Sequence, residues 1–305
     1  PSILSFTTAS PSIMLGDIAQ VSWQVIDTER VTLLITQGGT QQQITAQPNE
    51  SPYALAFDRS GLYTITLTAL RGEAAASATT TIEVLPEVIL SVEVVEAGEL
   101  VRHVERDVRL TWQVNGARAM DGGYAITIVS SDQTAPLFAA PLPASGSEIV
   151  TVAPSSSEAE WLVTLSAQGE DNVMASVTQS LRITEPSCQL SATRTVVRSG
   201  PGELYSAVVP PLETSGGSTL LLRPIARTPQ GDWLQIVLGV GDTARTGWVA
   251  LADLRCTNFD PARLRVTTDF PPPPVHTAPT ATPSPGITPA VPSPTVTQTP
   301  LSGAQ

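Results

Sequence analysis

Lysine is absent from this chain of 305 residues, so all 16 basic side chains are arginines. Without lysine the chain cannot form a Schiff base with a substrate, and it cannot carry the lysine-containing phosphate loop of nucleotide hydrolases. Histidine and cysteine occur twice each. That is too few for an array of zinc fingers, an iron–sulfur cluster or a haem relay. These shortages exclude several classes of enzyme and metalloprotein.

Positive charge is also scarce, because acidic residues outnumber basic ones by 28 to 16 and the net charge is −12. A nucleic-acid-binding protein needs a basic face, so this balance argues against nucleic acid as a partner. Residues 1–87 carry a net charge of −5, residues 88–187 carry −8 and residues 188–270 carry +1. No apolar run reaches the roughly 18 residues of a membrane-spanning helix, so we predict no membrane span in this segment.

Helical patterning is missing as well, because no stretch repeats apolar residues at the spacing of an amphipathic helix. Short alternating segments rich in Val, Ile, Thr and Leu occur instead, bounded by Gly, Pro, Asn, Asp and Ser. The predicted strands of the first part of the chain cover residues 3–6, 19–25, 31–36, 63–70 and 79–85. Turn signals about every ten residues predict a β-sandwich.

Two of these segments recur further along the chain. Residues 19–25 match residues 108–114, and residues 63–69 match residues 161–167. A repeat of about 90 to 100 residues has the length of one seven-stranded immunoglobulin-like sandwich. The repeats resemble the immunoglobulin-like domains of bacterial surface proteins, which implies two sandwiches in succession.

Each repeat places one large aromatic residue early and one late. Trp23 and Trp112 occupy one position, and Tyr63 and Trp161 occupy the other. We expect all four to pack in the sandwich cores, with stacking on carbohydrate as the alternative. Residues 58–63 resemble the tyrosine corner of immunoglobulin-like folds, in which the phenol hydroxyl bonds to nearby backbone.

Three motifs follow one another in the next part of the chain: Val197–Gly202, then Gly231–Ile236, then Thr246–Ala250. Their order resembles bacterial Src-homology-3-type (SH3b) domains, with an Arg-x-Gly-Pro opening, a Gly-Asp-Trp strand and a closing Gly-Trp-Val strand. The resemblance covers residues 188–257 and implies a small barrel that binds peptidoglycan or its peptide. We expect Trp233 and Trp248 to supply most of the buried area of this barrel.

The resemblance also implies where a ligand would bind. The candidate ligand-binding residues are Arg198, Tyr205, Asp232, Trp233 and Trp248.

Cys188 and Cys256 bracket the same unit, 68 residues apart. Two free buried thiols are one interpretation. We favour a disulfide, since small domains with small cores commonly need one and since it fits an oxidising, extracellular compartment.

The end of the sequence differs in kind. Residues 271–305 contain eleven prolines and no charged residue. Such a stretch cannot bury a core and favours polyproline II conformation. We predict that residues 258–305 form a linker and a disordered tail rich in Pro, Thr and Ser. Within the linker, residues 264–267 are a candidate edge strand of the barrel.

Catalytic chemistry finds little support. His103 lies in a charged segment, where we expect it to be solvated, and His276 lies in the proline-rich tail. No nucleophile elbow or zinc-protease motif is present. Residues 121–123 and 170–172 are the nearest candidates for a calcium site, but they lack the loop spacing that calcium sites use. We therefore predict no catalytic residues, no metal site and no cofactor.

The sequence thus predicts an all-β extracellular or cell-surface protein that is not an enzyme. Its expected units are two immunoglobulin-like sandwiches at 1–87 and 88–187, an SH3-type barrel at 188–257, and the tail at 258–305. The expected partner is peptidoglycan or another envelope polysaccharide or peptide. The alternative is a structural, assembly or adhesin segment, or the ectodomain of a larger membrane-anchored sensor, with no wall ligand. Self-association is a further candidate interaction.

Overall fold

The computed structural model describes residues 1–214, 220–239 and 244–273. Strands and their connections account for nearly all of these residues, together with a few three-residue 3-10 turns, and the described ranges contain no α-helix. The predicted all-β class is therefore confirmed. The proline-rich tail beyond residue 273, with His276, lies outside the described residues, as do residues 215–219 and 240–243.

The first sandwich consists of two facing sheets with strand orders β1-β3-β6 and β2-β8-β7-β4-β5. This is the arrangement of an immunoglobulin-like sandwich, with the A, B and E strands opposite the G, F and C strands. Its strands are β1 (Ser2–Thr8), β2 (Ser12–Met14), β3 (Ile18–Ile26), β4 (Arg30–Gln37), β5 (Thr40–Ala46), β6 (Tyr53–Ala56), β7 (Gly61–Arg71) and β8 (Ala74–Leu85).

Alternation along β3 shows why this segment forms a strand. Ala19, Val21 and Trp23 point inward and are at most 5% exposed, because successive side chains of a strand face opposite sides. The Trp23 indole Nε1 donates a hydrogen bond to the carbonyl of Pro48 at 3.1 Å. Trp23 is thus a core residue with its one polar group satisfied, as expected.

The tyrosine corner suggested by residues 58–63 is present at the start of β7. The Tyr63 hydroxyl donates to the carbonyl oxygen of Arg59 at 3.1 Å, and the Tyr63 ring lies in the core. Burial, reinforced by the nearby Asp58 carboxylate, raises the pKa of Tyr63 above its usual value.

The second sandwich repeats the first, with sheet orders β15-β11-β9 and β10-β17-β16-β14. Trp112 in β11 takes the place of Trp23, and its Nε1 likewise donates to a proline carbonyl, that of Pro143, at 3.0 Å. Trp161 is buried at the tyrosine position and donates to Asp132 Oδ1 at 2.7 Å. The strands are β9 (Glu87–Val94), β10 (Leu100–Val101), β11 (Arg106–Asn115), β12 (Ala119–Met120), β13 (Gly123–Tyr124), β14 (Ile126–Ser130), β15 (Ser145–Val152), β16 (Glu160–Gln168) and β17 (Met174–Thr184).

A five-stranded antiparallel sheet, in the order β23-β22-β21-β18-β24, forms the C-terminal unit together with the pair β19-β20. Cys188 and Cys256 are direct partners in the register of β18 and β24 and form the predicted disulfide. The strands are β18 (Cys188–Leu190), β19 (Arg194–Thr195), β20 (Leu212–Glu213), β21 (Leu221–Arg227), β22 (Trp233–Leu238), β23 (Arg245–Ala250) and β24 (Leu254–Cys256).

The core of the C-terminal unit extends into the second sandwich. Val101 and Val104 pack in one hydrophobic cluster with Leu234, Ile236 and other residues of the five-stranded sheet. Residues 101–104 leave the second sandwich at this point, and Val104 pairs with Leu264 as an isolated antiparallel bridge.

Polar contacts join the two sandwiches. The Ser60 hydroxyl donates to the carbonyl of Gly116, and the amide of Leu62 donates to Asp171 Oδ2 at 3.1 Å. Within the first sandwich, Gln37 Nε2 donates to the Ser60 carbonyl at 2.7 Å. Asp171, one of the residues considered for calcium, thus serves as an acceptor at this junction.

Candidate binding surface

The five candidate ligand residues form two groups, and the first centres on Tyr205. The Tyr205 ring is buried against the turn at residues 197–202, and a methyl group added at Gly200 would overlap it. Gly202 follows with φ at +145°, a conformation that glycine adopts without steric strain. Gly200 therefore makes room for the Tyr205 ring, and Gly202 supplies the positive φ of the turn.

Arg198 belongs to the same group. Its backbone exchanges two hydrogen bonds with Trp248, at 2.9 and 2.8 Å. Its guanidinium Nη1 donates to the carbonyls of Glu203 and Tyr205, at 2.9 and 2.8 Å. Arg198 therefore connects the turn at residues 203–205 to the strand that carries Trp248.

The second group lies at the turn between β21 and β22. Asp232 is exposed, and its Oδ1 accepts a hydrogen bond from the Thr228 hydroxyl at 2.9 Å. Trp233 follows as the half-buried first residue of β22. Gly231 has φ at +81°, so the turn needs a residue that tolerates positive φ. Asp232 therefore closes the turn that presents Trp233.

Strand register places the two tryptophans on one face of the sheet. Trp248 pairs with Gln235, which is two residues after Trp233 in β22, so the tryptophans are diagonal neighbours. Leu234, Ile236 and Val249 alternate with them and form the hydrophobic cluster. Trp233 and Trp248 therefore lie outside this cluster, on the other face of the sheet, and Trp233 is only half-buried.

Trp248 is nevertheless only 2% exposed, and a segment that follows the last strand accounts for part of its cover. The Phe270 ring meets the Trp248 indole edge to face, with ring centroids 5.7 Å apart and planes at 83°. The Tyr205 hydroxyl donates to the carbonyl of Pro271 at 2.6 Å. The chain thus places its own Phe270–Pro271 on the surface that two of the candidate ligand residues form.

The route of residues 258–273 was foreseen only in part. The sequence predicted a linker with a candidate edge strand at residues 264–267, and Val266 does bridge to Arg227 in β21. The burial of Phe259 and Leu264 in the C-terminal cluster was not predicted. Phe270 was missed as a site residue. The available signal was a large aromatic side chain directly before a run of prolines, in a segment with few other apolar residues.

Charged groups gather where the second sandwich meets the C-terminal unit. Arg106 pairs with Glu96 at 2.9 Å, and Glu96 also pairs with Arg263 at 2.8 Å. His103 lies in this region with φ at +63°, and it is half-buried, so the expectation that it is solvated is wrong. Burial lowers the pKa of His103 to about 4, and the positive charges of Arg265 and Arg102 add to the effect.

Two further properties concern only the described part of the chain. Within residues 1–214, 220–239 and 244–273, no three or more His, Cys, Asp or Glu side chains gather into a group that could hold a metal ion. Over the same residues, no helix has the length and apolar character needed to cross a bilayer.

Comparison with known proteins yields no family assignment. No protein-family model matches the sequence, and no curated protein matches it.

Some solved structures resemble the chain weakly. Chimeric titin Z1Z2, functionalised with a KLER peptide from decorin, is 13% identical with a TM-score of 0.19, over 60% of this chain and 99% of that one. The three N-terminal domains of the Hoc outer capsid protein of bacteriophage RB49 are 12% identical with a TM-score of 0.24, over 82% and 96%. Protocadherin gamma B2 cadherin domains 3–6 are 14% identical with a TM-score of 0.27, over 81% and 64%.

At such low TM-scores these likenesses carry no argument about the chain. The immunoglobulin-like description of the two sandwiches rests on their own strand orders.

Proposed function

We propose that this chain is a non-catalytic extracellular protein in which two sandwiches act as spacers for a C-terminal unit that binds peptidoglycan or another envelope polymer. The observation that carries the proposal is that Trp233 and Trp248 lie on one face of the five-stranded sheet, while Arg198 bonds to the backbone of both Trp248 and Tyr205. Flat aromatic side chains with a polar edge suit polymers that present both apolar and hydroxyl or amide groups.

The disulfide between Cys188 and Cys256 supports an extracellular compartment. Disulfides persist in oxidising compartments and are rare in the cytosol. The SH3-type resemblance of residues 188–257 agrees with a location at the envelope.

The spacer role draws on the repeated sandwiches and on their charge. With net charges of −5 and −8, the sandwiches repel anionic surfaces, whereas the C-terminal unit is nearly neutral. Envelope polymers are commonly anionic, so the charge distribution would direct contact to the C-terminal unit.

Co-sedimentation of the full chain with purified peptidoglycan tests the proposal. Replacing Trp233 by Ala removes a half-buried ring without opening the hydrophobic cluster, to which it does not belong. We expect retention to fall at least tenfold, since loss of an aromatic anchor commonly costs more than about 1.4 kcal/mol of binding free energy.

A matched control is Tyr124→Ala, which removes an aromatic residue that is 36% exposed on the second sandwich. Its retention should equal that of the wild type. Tyr205 needs a milder change, Tyr205→Phe, because its buried ring supports the turn. If Trp233→Ala and Tyr205→Phe chains fold and are retained as before, the proposed surface is wrong.

A structural role is the second candidate, and exposed isoleucines favour it. Ile89 and Ile149 are 50% and 54% exposed on the outer face of the sheet β15-β11-β9. Apolar surface next to the edge strand β9 could pair with another copy. Light scattering after size exclusion separates the candidates: a monomer retained by wall supports binding, and an oligomer indifferent to wall supports assembly.

A further inference from the structure

The segment Phe270–Pro271 makes two specific contacts on the C-terminal unit. The Phe270 ring approaches Trp248 in the edge-to-face geometry that aromatic pairs prefer, and the Tyr205 hydroxyl donates to the Pro271 carbonyl. An aromatic anchor and a backbone carbonyl bound by a tyrosine are features of peptide recognition by aromatic-lined surfaces.

The surface beneath the segment is built without it. The Tyr205 ring packs against Gly200, and the Tyr205 carbonyl accepts a hydrogen bond from the Arg198 guanidinium. Trp248 is paired with β22 and with the backbone of Arg198. Tyr205 and Trp248 would therefore keep their positions if Phe270 and Pro271 moved away. The contacts that position Tyr205 and Trp248 thus lie outside Phe270–Pro271.

The segment itself is attached loosely at this end. Pro271, Pro272 and Pro273 are exposed, and proline lacks the amide donor that a strand would use. Two backbone hydrogen bonds of 2.9 Å hold the chain just before this point. The Thr267 amide donates to the Arg227 carbonyl, and the Arg227 amide donates to the Arg265 carbonyl. Release of residues 270–273 would therefore leave the pairing of residues 265–267 with β21 intact.

We propose that Tyr205 and Trp248 form a binding site for an extended peptide with an aromatic residue directly before a proline, and that Phe270–Pro271 fills this site within the same chain. A ligand that needs Tyr205 and Trp248 must then displace the segment. This last consequence rests on the proposed function of the same surface, whereas occupancy by the segment does not.

The test uses the full chain with Phe270→Ser, which weakens the internal segment and so leaves the site open to an added ligand. The added ligand is a fluorescent peptide of residues 268–274, Thr-Asp-Phe-Pro-Pro-Pro-Pro. In the wild type the internal segment competes at an effective concentration on the order of millimolar. We therefore expect the peptide to bind Phe270→Ser about tenfold more tightly than the wild type. Fluorescence polarisation measures both affinities.

Two controls make the result specific. Phe138 is a half-buried partner of Trp112 in the second sandwich, with ring centroids 5.8 Å apart, so Phe138→Ser removes a comparable ring elsewhere. Phe138→Ser should bind the peptide as weakly as the wild type does. A peptide with Ser at the Phe270 position should bind neither variant.

The proposal is wrong if folded Phe270→Ser, checked by circular dichroism, binds the peptide no better than the wild type. A measurement on the unmodified chain covers the case in which the variant does not fold. Nuclear Overhauser contacts between the Phe270 ring and the Trp248 indole should be present in the wild type, and their absence would also refute the proposal.

Wall binding is scored separately. If the proposed function holds, peptidoglycan should retain Phe270→Ser more strongly than the wild type. If no variant is retained but the peptide binds Phe270→Ser, the function is refuted and the internal site stands.

Discussion

His103 shows how the surroundings of one residue set a pH response. Its ring lies half-buried beside Arg102 and Arg265, whereas Glu185 provides a smaller opposing effect. Its backbone is tied on both sides, because the His103 amide donates to Pro154 and its carbonyl accepts from Arg265. Protonation of the ring would thus add a positive charge at the contact between the second sandwich and the C-terminal unit.

We expect the free energy of unfolding to fall as the pH falls from about 6.5 towards 4. The pKa of His103 is about 4 in the folded chain and ordinarily 6.5, so the unfolded chain binds more protons within this window. By linkage, its contribution to stability is complete above the window and is lost on acidification through it. Urea denaturation at pH 4.5 and 7.5 measures the difference.

The comparison variant is His103→Asn, which removes the titrating ring but tolerates the positive φ of this position better than most residues. Its stability should change less between the two pH values than that of the wild type. An equal change in both chains would show that other groups cause the pH dependence.

Individual site residues could be predicted from sequence only in part. The turn motif at 197–202 located Tyr205, and the Gly-Trp-Val motif located Trp248, because glycine spacing and aromatic residues leave a local signal. Which face of β23 carries Trp248 depends on the register with β22, and the contact with Phe270 joins residues 22 positions apart. Neither property is written in a short stretch of sequence.

At the scale of elements, the disulfide links β18 and β24, which are neighbours in the five-stranded sheet and are its first and last strands in chain order. Cys188 in β18 and Cys256 in β24 are adjacent in register and close a loop with a sequence separation of 68. Both strands are only three residues long. Such short strands gain much from a covalent link, because few backbone hydrogen bonds hold them together.

Replacing both cysteines by alanine should lower the free energy of unfolding by about 2–4 kcal/mol, the usual range for a native disulfide, through a less restricted unfolded chain. Chemical denaturation with and without a reductant measures the effect. Reductant should destabilise the wild type but leave the double variant unchanged. A wild type that resists reductant while the double variant is destabilised would assign the loss to packing around Cys188.

The repeated strands were predictable because their signal is local. Alternation and the recurring tryptophan placed β3 and β11 in equivalent positions, and both indoles bond to proline carbonyls. Residues 258–273 have no such periodicity, and their order comes from distant partners. Leu264 pairs with Val104 of the second sandwich, and Thr267 bonds to Arg227 of β21. Sequence alone therefore predicted a linker with only a candidate edge strand at residues 264–267.

At the scale of the whole molecule, the two junctions differ in kind. The first and second sandwiches meet through polar contacts of Ser60 and Leu62. The second sandwich and the C-terminal unit share buried apolar side chains, since Val101 and Val104 lie in the cluster of the five-stranded sheet. Burial of shared apolar side chains couples the stability of two units more strongly than a few hydrogen bonds do, because the net contribution of one hydrogen bond is small.

We therefore expect Val104→Ala to destabilise the second sandwich and the C-terminal unit together, by roughly 2 kcal/mol for a fully buried valine. Hydrogen exchange in β16 and β22, followed by mass spectrometry, reports on the two units in one experiment. Protection should fall in both strands and stay unchanged in β7 of the first sandwich.

The exposed Ile89 provides the control, since Ile89→Ala should leave protection within about 0.5 kcal/mol of the wild type. Loss of protection in β22 alone after Val104→Ala would contradict the coupling and make the C-terminal unit an independent domain.

The wrapping of residues 264–271 around the C-terminal unit also decides how mechanical load would travel. A pull applied to the chain beyond residue 273 reaches the contacts of Pro271 with Tyr205 and of Phe270 with Trp248 first. Counted from the pulled end, the disulfide at Cys256 comes after the pairing of residues 265–267 with β21. It would bear load only once that pairing had broken. Tension at this end would therefore uncover the aromatic surface while the rest of the fold stayed intact.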